Sequence, residues 1–271
     1  MLALSLAVVS PVTHAATTYT FAVPPRQSRA AVEQMFGPVA QYLSHVTGAH
    51  IHLKYESNWL SYETDMQKGL FDLVFDGPAF VSWRMVHQSF RPLVGLSGHL
   101  TFVIVTRANS TLRKPAQLIG QTVCAFSPPN IATLTLYSLF PNPMQQPAVI
   151  NVQGLKTPYM DVVNGRCKAS ITMKVLYDKL NQGPTAGKTR ILWTATPIPN
   201  QAFSAGPRIP RAMQERIKEA LLSTDGMQAT ARMRAAFGNR PLVPVEASEF
   251  TGLDQLLRGI WGFSGSGSAN P

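Results

Sequence analysis

The sequence predicts an α/β protein built of two lobes that are joined by a double-strand hinge. Short apolar β-type runs alternate with amphipathic segments along the chain, a pattern typical of βαβ units and parallel sheets. The scheme occurs twice, with a crossing strand near Phe102–Arg107 and a return near Ala202–Arg208. The 271 residues suffice for two lobes of roughly 100–150 residues, each with a core of its own.

The first series of elements fills the first hundred residues. Strands are predicted where apolar or alternating side chains form short runs: Tyr19–Val23, His50–Tyr55, Phe71–Phe75, Pro92–Leu96 and Leu100–Thr106. Helices are predicted where apolar side chains recur at helical spacing: Gln27–Val46, Tyr62–Lys68 and Ala79–His87.

The second series repeats the scheme and then returns to the first lobe. Its predicted strands are Gln121–Phe126, Val149–Val152, Ala169–Met173, Arg190–Ala195, Gln201–Gly206 and Pro241–Val245. Its predicted helices are Ile131–Phe140, Pro158–Asn164, Arg211–Ser223, Gly226–Phe237 and Leu253–Trp261. We expect residues 17–103 and 202–263 to form the first lobe and residues 104–201 to form the second.

Both ends of the sequence differ from the body of the chain. The apolar run Met1–Val12 ends in small residues and fits the later part of a secretory signal, although the basic segment that usually precedes it is missing. We predict a signal peptide over residues 1–16, with a disordered N-terminal tail as the alternative. Residues 264–271 are predicted to be a flexible tail.

Composition and charge exclude several classes of protein. At 45% hydrophobic and 14% charged residues, the chain is too apolar to be disordered. Two cysteines cannot make a disulfide scaffold or a four-cysteine zinc module. The net charge of +10 reflects a shortage of acids, since no Asp or Glu occurs between Gly77 and Met160. Because no nucleic-acid motif accompanies the charge, we predict no nucleic-acid partner.

Six loops follow predicted strands and precede predicted or possible helices. In open parallel sheets, ligands bind beyond the carboxyl ends of strands, where helix N-termini offer N–H groups. That rule selects the loops Pro25–Ser28, Ser57–Tyr62, Asp76–Ala79, Ser127–Thr133, Gly154–Tyr159 and Met173–Lys174.

Four segments together resemble one family. In order and spacing they are similar to segments of the type II periplasmic binding proteins of the phosphate/phosphite/phosphonate (PhnD-like) family. The four segments are Gly69–Ala79 (GLFDLVFDGPA), Phe102–Phe126, Gly154–Leu180 and Ile191–Pro210. The resemblance covers roughly Thr18 to Phe263. It implies a two-lobed Venus-flytrap that closes on a small solute and presents it to an ABC permease in the inner membrane.

The resemblance and the loop rule select the same ligand-binding candidates. Tyr62, or Trp59, takes the place of the family's aromatic after the second strand, and the segment from Ser127 to Thr133 corresponds to its phosphate-cradling helix start. The candidate ligand-binding residues are Arg26, Gln27, Trp59, Tyr62, Asp76, Gly77, Pro78, Ser127, Asn130, Thr133, Lys156, Thr157 and Lys174.

The second lobe departs from the family pattern at this helix start. Phosphonate binders place a run of Ser and Thr hydroxyls here, whereas this chain has SPPNIAT, and Pro128 and Pro129 have no N–H to donate. The family's ligand-proximal histidine is replaced by Leu155, with Lys156 beside it. The fold and the transport role therefore carry over, while the identity of the ligand stays open.

The second lobe carries most of the net charge. Residues 104–201 contain ten basic and two acidic residues, a net charge of +8. A lobe of one sign raises the local concentration of anions, so we predict a small anionic ligand, phosphonate-like or another oxyanion, near Lys156 or Lys174. The alternative is that these bases form a solvated surface or face the permease.

Other reactive residues suggest weaker possibilities. Cys124 and Cys167 lie in or beside neighbouring predicted strands, and the sequence leaves open whether they form a disulfide or remain thiols. His50 and His52 have a spacing that could hold a metal, but no third ligand is evident nearby. We therefore predict no metal and no cofactor.

A binding protein is the function that these observations favour. We predict a monomeric solute-binding receptor of an ABC importer, located in the periplasm. The alternative is a ligand-sensing module of the same fold that docks to a membrane histidine kinase. The candidate loops contain no histidine and one carboxylate, Asp76, so no catalytic arrangement is expected there.

Overall fold

The computed structural model describes residues 17–260 and residue 263 of the chain. The predicted signal peptide (residues 1–16), the predicted tail (residues 264–271) and the end of the last predicted helix at Trp261 lie outside the described residues.

The described residues form thirteen strands and nine α-helices. The strands are β1 (Thr18–Ala22), β2 (His50–Lys54), β3 (Leu73–Asp76), β4 (Arg91–Leu96), β5 (His99–Leu100), β6 (Phe102–Arg107), β7 (Thr122–Ala125), β8 (Ala148–Asn151), β9 (Ala169–Met173), β10 (Thr189–Thr194), β11 (Ile198–Pro199), β12 (Ala202–Ala205) and β13 (Leu242–Pro244). The helices are α1 (Arg29–Thr47), α2 (Trp59–Gln67), α3 (Pro78–Gln88), α4 (Ile131–Tyr137), α5 (Thr157–Val163), α6 (Lys174–Leu180), α7 (Arg211–Leu222), α8 (Thr224–Ala229) and α9 (Ala231–Ala236).

Two separate sheets carry the α/β architecture. The first sheet has six strands in the order β13-β4-β12-β3-β1-β2, and the second has five in the order β10-β6-β9-β7-β8. Strands β1, β2 and β3 run parallel in the first sheet, as do β7, β8 and β9 in the second. Each parallel set therefore brings the loops at its carboxyl ends to one edge of its sheet.

The hinge is built from two chain passages between the sheets. A short antiparallel pair, β5 with β11, joins Leu100 to Ile198 and His99 to Pro199. The two-lobed α/β fold with a double-strand connection is thus confirmed. We propose that the lobes follow the boundaries drawn from the sequence, because every strand of the second sheet lies between residues 102 and 194.

The core of the first lobe depends on four phenylalanines. Phe21, Phe36, Phe75 and Phe203 are almost completely buried, and their ring centroids lie 4.7–6.0 Å apart in a chain of contacts. They come from β1, α1, β3 and β12, so their packing holds α1 against the centre of the sheet. Strand β3 is buried along its whole length because it lies between β1 and β12, as its nearly continuous apolar sequence predicts.

Two predicted helices differ from those observed, and one observed helix was not predicted. The predicted helix Gly226–Phe237 is divided at Thr230 into α8 and α9. The predicted helix Leu253–Trp261 is a short 3-10 helix, Leu253–Leu257, that follows Gly252 in the left-handed conformation. Helix α6 was not predicted, because its seven residues are too few to establish a helical period.

A disulfide closes one part of the second lobe. Cys124 of β7 and Cys167, two residues before β9, are bonded with a Cα–Cα distance of 5.7 Å. The offset between the two cysteines does not separate them, because the turn before β9 already approaches β7, where the N–H of Lys168 donates to the carbonyl of Thr122. The pairing that the sequence left open is thereby decided.

Two kinds of feature are absent from the described residues. No helix in residues 17–260 is both long and apolar enough to cross a bilayer. Within the same residues, no three His, Cys, Asp or Glu side chains are grouped so that they could hold a metal ion. The rings of His50 and His52 lie 6.1 Å apart on the edge strand β2.

Candidate functional site

A cavity of about 410 Å³ lies between the two lobes. Its lining in the first lobe comes from α2, with Trp59, Leu60 and Glu63. Its lining in the second lobe comes from the loop before α4, with Pro128 and Pro129, and from Tyr137 of α4. The described lining also includes Gly259 and Ile260. Two of the loops selected from the sequence, one in each lobe, thus meet at the same space. Trp59 is half-buried and stacks on Phe80 at 5.9 Å between ring centroids.

Asp76 lies beneath this region in a fully buried cluster. Its Oδ1 accepts a hydrogen bond from the hydroxyl of Tyr62 at 2.5 Å, and its Oδ2 accepts one from Nε of Arg84 at 2.8 Å. Nη2 of Arg84 also donates to the Tyr62 hydroxyl at 3.1 Å. Tyr62, Asp76 and Arg84 are each 0% exposed, so Tyr62 forms part of the floor and does not line the cavity.

Burial dominates the electrostatics of the cluster. It raises the pKa of Tyr62 well above its usual range, and the charge of Asp76 raises that pKa further. Burial acts to lower the pKa of Arg84, but the charges and hydrogen bonds of Tyr62 and Asp76 outweigh it, so the pKa is raised. The cluster therefore contains a protonated phenol and a charged ion pair, with both oxygens of the carboxylate engaged.

Arg26 lies close to this cluster, and the charges of Asp76 and Tyr62 act on its guanidinium. The residue as a whole is exposed, whereas its guanidinium is surrounded by protein atoms. Among the described residues this guanidinium makes no hydrogen bond and no ion pair. A Cβ at Gly77 would lie 3.3 Å from Nη2 of Arg26, so glycine allows the guanidinium to approach the start of α3. Burial of the guanidinium lowers the pKa of Arg26, and the charges of Asp76 and Tyr62 oppose this effect.

The N-terminus of α3 is also available. Gly77 at the N-cap has no side chain to cap the helix, and Pro78 at the first helical position has no N–H. The N–H groups of Ala79 and Phe80 have no partner among the described residues. Helix α3 has eleven residues, and its N-terminus therefore carries a partial positive charge next to Arg26.

In the second lobe, the candidates at the start of α4 are engaged within the protein. Oδ1 of Asn130 accepts from the N–H of Ala132, and the N–H of Ser127 donates to Oδ1 of Asn151. Thr133 is fully buried, and its hydroxyl donates to the carbonyl of Phe126 at 2.5 Å. The peptide bond between Pro128 and Pro129 is cis.

The remaining second-lobe candidates lie at the other two strand ends. Nζ of Lys174 forms an ion pair with Asp178 at 2.7 Å, and the hydroxyl of Thr157 donates to the carbonyl of Gln153 at 2.5 Å. Lys156 is exposed at the start of α5, without an ion pair among the described residues. Gln27, in the first lobe, is exposed in the loop before α1, which begins at Arg29 because Ser28 caps it.

Sequence reasoning missed three residues of the site. Arg84 could have been found, since it is the first basic residue after Asp76 in the acid-free stretch and is flanked by apolar residues. Glu63 and Tyr137 carry no such signal, because their positions on α2 and α4 face the cavity only through the packing of one lobe against the other.

The structure combines two lobes of α/β structure with parallel strands, a paired-strand hinge and a cavity between the lobes. These features define a two-lobed solute receptor. The chain belongs to the family of periplasmic substrate-binding proteins of ABC phosphonate transporters, whose family model matches residues 21–250. Members of this family bind a small molecule and deliver it to an inner-membrane permease. A search of curated proteins finds no match.

Solved structures agree in fold at low sequence identity. XAC2383 from Xanthomonas citri bound to ATP is 14% identical, with a TM-score of 0.69 over 89% of this chain and 96% of that chain. PhnD1 from Prochlorococcus marinus in complex with methylphosphonate is 12% identical, with a TM-score of 0.63 over 89% and 97% of the two chains. A binding protein of an ABC phosphonate transporter from Pseudomonas aeruginosa (PA3383) is 10% identical, with a TM-score of 0.61 over 89% and 86%.

Proposed function

We propose that this protein is the periplasmic receptor of an ABC importer and that it binds a small anion, a phosphonate or another oxyanion, between its lobes. The anion lies against the guanidinium of Arg26 and the N–H groups of Ala79 and Phe80. The observation that carries the proposal is the Arg26 guanidinium, which forms no ion pair within the described residues and lies beside a helix N-terminus without a side-chain cap.

The buried cluster explains why Arg26 is available to a ligand. Asp76 is the carboxylate whose charge acts on Arg26, but both of its oxygens already accept hydrogen bonds from Tyr62 and Arg84. An anion can therefore pair with Arg26 without competition from a hydrogen-bonded carboxylate. Charge-assisted bonds of guanidinium to an oxyanion are among the stronger hydrogen bonds in proteins.

The second lobe contributes long-range attraction. Of its ten basic residues, Arg166 and Lys174 form ion pairs, and the other eight form none among the described residues. Such a field increases the rate at which an anion reaches the cleft. Lys156, exposed at the start of α5, is the residue that we propose to contact the anion when the lobes close.

The family match favours an importer over the sensor module that the sequence leaves as the alternative. Closure of the lobes on a solute requires contacts that only the closed state makes, and an oxyanion held by Arg26 in one lobe and Lys156 in the other supplies such contacts. The exported location follows from the same family, with the permease as its membrane partner.

Calorimetry with methylphosphonate, phosphate, phosphite and sulfate tests the proposal. We expect at least one of these anions to bind, and we expect Arg26→Ala to weaken binding tenfold or more. Arg29→Ala is the matched control, because Arg29 is close in sequence but exposed and paired with Glu33. Binding of none of the anions, or equal binding by the Arg26→Ala variant, would refute the proposal.

A further inference from the structure

One end of the second lobe is strongly basic. Four segments meet at the edge of the five-stranded sheet that is opposite the interlobe cavity: residues 106–122, 141–148, 164–169 and 181–190. Together they contain seven Lys and Arg residues and no Asp or Glu. Most of the basic residues of the second lobe therefore lie away from a solute held between the lobes. We refer to the surface of these four segments as the distal face.

The pairing of the strands brings the four segments to one edge. The start of β10 lies opposite the end of the antiparallel strand β6, where Thr189 pairs with Arg107. The start of β9 lies beside the same strand end, where Ala169 pairs with Thr106. Strands β7 and β8 run parallel to β9 and begin at this edge too. The candidate ligand loops follow the other ends of β7, β8 and β9, so the distal face and the cleft lie at opposite ends of the sheet.

Contacts between the segments keep their basic side chains close together. The N–H of Ala108 donates to the carbonyl of Lys188 at 2.9 Å. A Cβ at Gly165 would lie 3.1 Å from Nη1 of Arg107, so this guanidinium lies over the turn between α5 and β9. Three of the four segments are thus in contact around the end of β6, and their charges form one patch.

Acidic groups leave this patch uncompensated. Residues 104–201 contain two acids, of which Asp161 pairs with Arg166 at 3.2 Å and Asp178 pairs with Lys174 at 2.7 Å. The other basic residues of the distal face form no ion pair among the described residues, and all of them except the half-buried Arg190 are exposed. They are Arg107, Arg113, Lys114, Lys168, Lys188 and Arg190.

Two apolar side chains are exposed at the same edge. Met144, shortly before β8, is 90% exposed, and Ile119, shortly before β7, is 44% exposed. Clusters of four to eight basic residues are typical of surfaces that bind anionic lipid, and neighbouring apolar side chains strengthen such binding by entering the headgroup region. A protein partner fits this face less well, because the cores of protein interfaces are depleted of Lys and other charged residues.

We propose that the distal face binds an anionic lipid bilayer. The basic side chains lie against the lipid phosphates, and Met144 and Ile119 reach the boundary between headgroups and acyl chains. This inference goes beyond the proposed receptor function and does not depend on the identity of the solute. Because the cleft lies at the other end of the sheet, lipid binding holds the protein at a membrane while the cleft stays accessible to solute.

Sedimentation with lipid vesicles tests the proposal. We expect the protein to bind vesicles of equal parts phosphatidylglycerol and phosphatidylcholine, and to bind pure phosphatidylcholine vesicles at least twentyfold more weakly. Each basic residue near an anionic surface contributes about fivefold to partitioning, so neutralising three lysines should lower the partition coefficient at least twentyfold. The triple variant combines Lys114→Gln, Lys168→Gln and Lys188→Gln.

A second triple variant is the matched control for net charge. It removes three exposed charges from α7 and α9 of the first lobe and should keep the partition coefficient within about threefold of the wild-type value, because charges beyond a Debye length are screened. It combines Arg211→Gln, Arg216→Gln and Arg232→Gln. All variants share the N-terminal segment, so binding by that segment cannot produce a difference between them. Thermal unfolding without vesicles checks that each variant is folded.

The apolar contribution is tested at one position. Met144→Ser should weaken binding to the anionic vesicles threefold or more. Val86→Ser is the control, because Val86 is 62% exposed on α3 of the first lobe and should leave binding unchanged.

Several results would overturn the inference. They are absence of binding to anionic vesicles, equal binding to both kinds of vesicle, and equal losses in the two triple variants. Retention on immobilised polyglutamate that depends on the three lysines, without vesicle binding, would also overturn it and would assign the distal face to an acidic protein.

Discussion

Nε of Arg84 donates a hydrogen bond to Oδ2 of Asp76 at 2.8 Å, and neither side chain is exposed to solvent. The guanidinium also lies 5.1 Å from the ring centroid of Phe90 and 5.4 Å from that of Phe71. The pair joins the end of β3 to the body of α3 and so orients the helix N-terminus at which we place the anion.

Breaking this pair should destabilise the first lobe. Arg84→Ala leaves Asp76 buried without its charge partner, and such losses cost about 3–5 kcal/mol in the free energy of unfolding. Chemical denaturation should therefore show a marked decrease in midpoint. Arg91→Ala is the control, because Arg91 pairs with Glu215 at the surface and such pairs contribute about 0–1 kcal/mol. An equal decrease in the free energy of unfolding in Arg84→Ala and Arg91→Ala would contradict the prediction.

Anion capture should depend on salt and on Lys156. Because the basic residues of the second lobe act largely at long range, the association rate measured by stopped flow should fall as ionic strength rises. Lys156→Ala should weaken affinity, while Lys174→Ala should have less effect because Lys174 is already paired with Asp178. A larger loss of affinity in Lys174→Ala than in Lys156→Ala would show that α6, and not α5, contacts the ligand.

Removal of the disulfide should reduce stability. The bond between Cys124 and Cys167 spans 43 residues, and loop-closure entropy for that length corresponds to about 4 kcal/mol, with about 2–4 kcal/mol usual in measurements. The double Cys→Ser variant should therefore unfold at lower denaturant concentration than the wild type. Mass spectrometry after alkylation without a reductant provides the direct check, since two alkylated thiols would contradict the pairing.

Glu63 should make the fold less stable as pH rises. Its pKa is about 7 in the folded protein and 4.5 for an ordinary glutamate, the value that we take for the unfolded chain. Between pH 4.5 and pH 7 the folded protein therefore holds a proton that the unfolded chain has lost. The free energy of unfolding therefore decreases across this interval. At pH 8, Glu63→Gln should unfold at a higher temperature than the wild type, with a free energy of unfolding that is larger by about 1–3 kcal/mol. Near pH 4 the two proteins should differ little. A higher unfolding temperature for the wild type than for Glu63→Gln at pH 8 would show instead that a neighbouring group stabilises the charged form of Glu63.

Thr133 should behave as a structural residue in the unliganded protein. Because its hydroxyl donates to the carbonyl of Phe126 within a fully buried site, Thr133→Val should lower the free energy of unfolding by about 1–3 kcal/mol. Thermal unfolding in the absence of ligand checks this, with Thr157→Val as a control at a more exposed helix start. An unchanged unfolding temperature in Thr133→Val would return this hydroxyl to the list of free ligand donors.

Part of the site could be predicted because it depends on strand ends. The nearly continuous apolar run before Asp76 predicts a buried strand, and the helix after Gly77 and Pro78 follows from N-terminal preferences. The parallel arrangement then places this strand end beside the loop that contains Arg26. These steps use only local sequence and the geometry of a sheet.

Side-chain orientation could not be predicted in the same way. The sequence offers Trp59 and Tyr62 as equal candidates for the cleft aromatic, but the structure places Trp59 at the cavity and buries Tyr62 against Phe71 and Asp76. The two residues are three positions apart on one helix, and which of them faces the cleft depends on how α2 rotates when it packs. Helical periodicity alone does not determine that rotation.

The sequence by itself determined the two α/β series, the paired hinge and the edges at which ligand loops meet, because apolar runs and strand order act locally and repeat. Tertiary structure alone decided which charges are neutralised. Asp76 is paired with Arg84, and Arg26 forms no ion pair with any residue that the structure describes. Glu63 is buried at the cavity that Tyr137 of the other lobe also lines. The physical reason is that desolvation and charge pairing depend on distances between residues that are far apart in the chain.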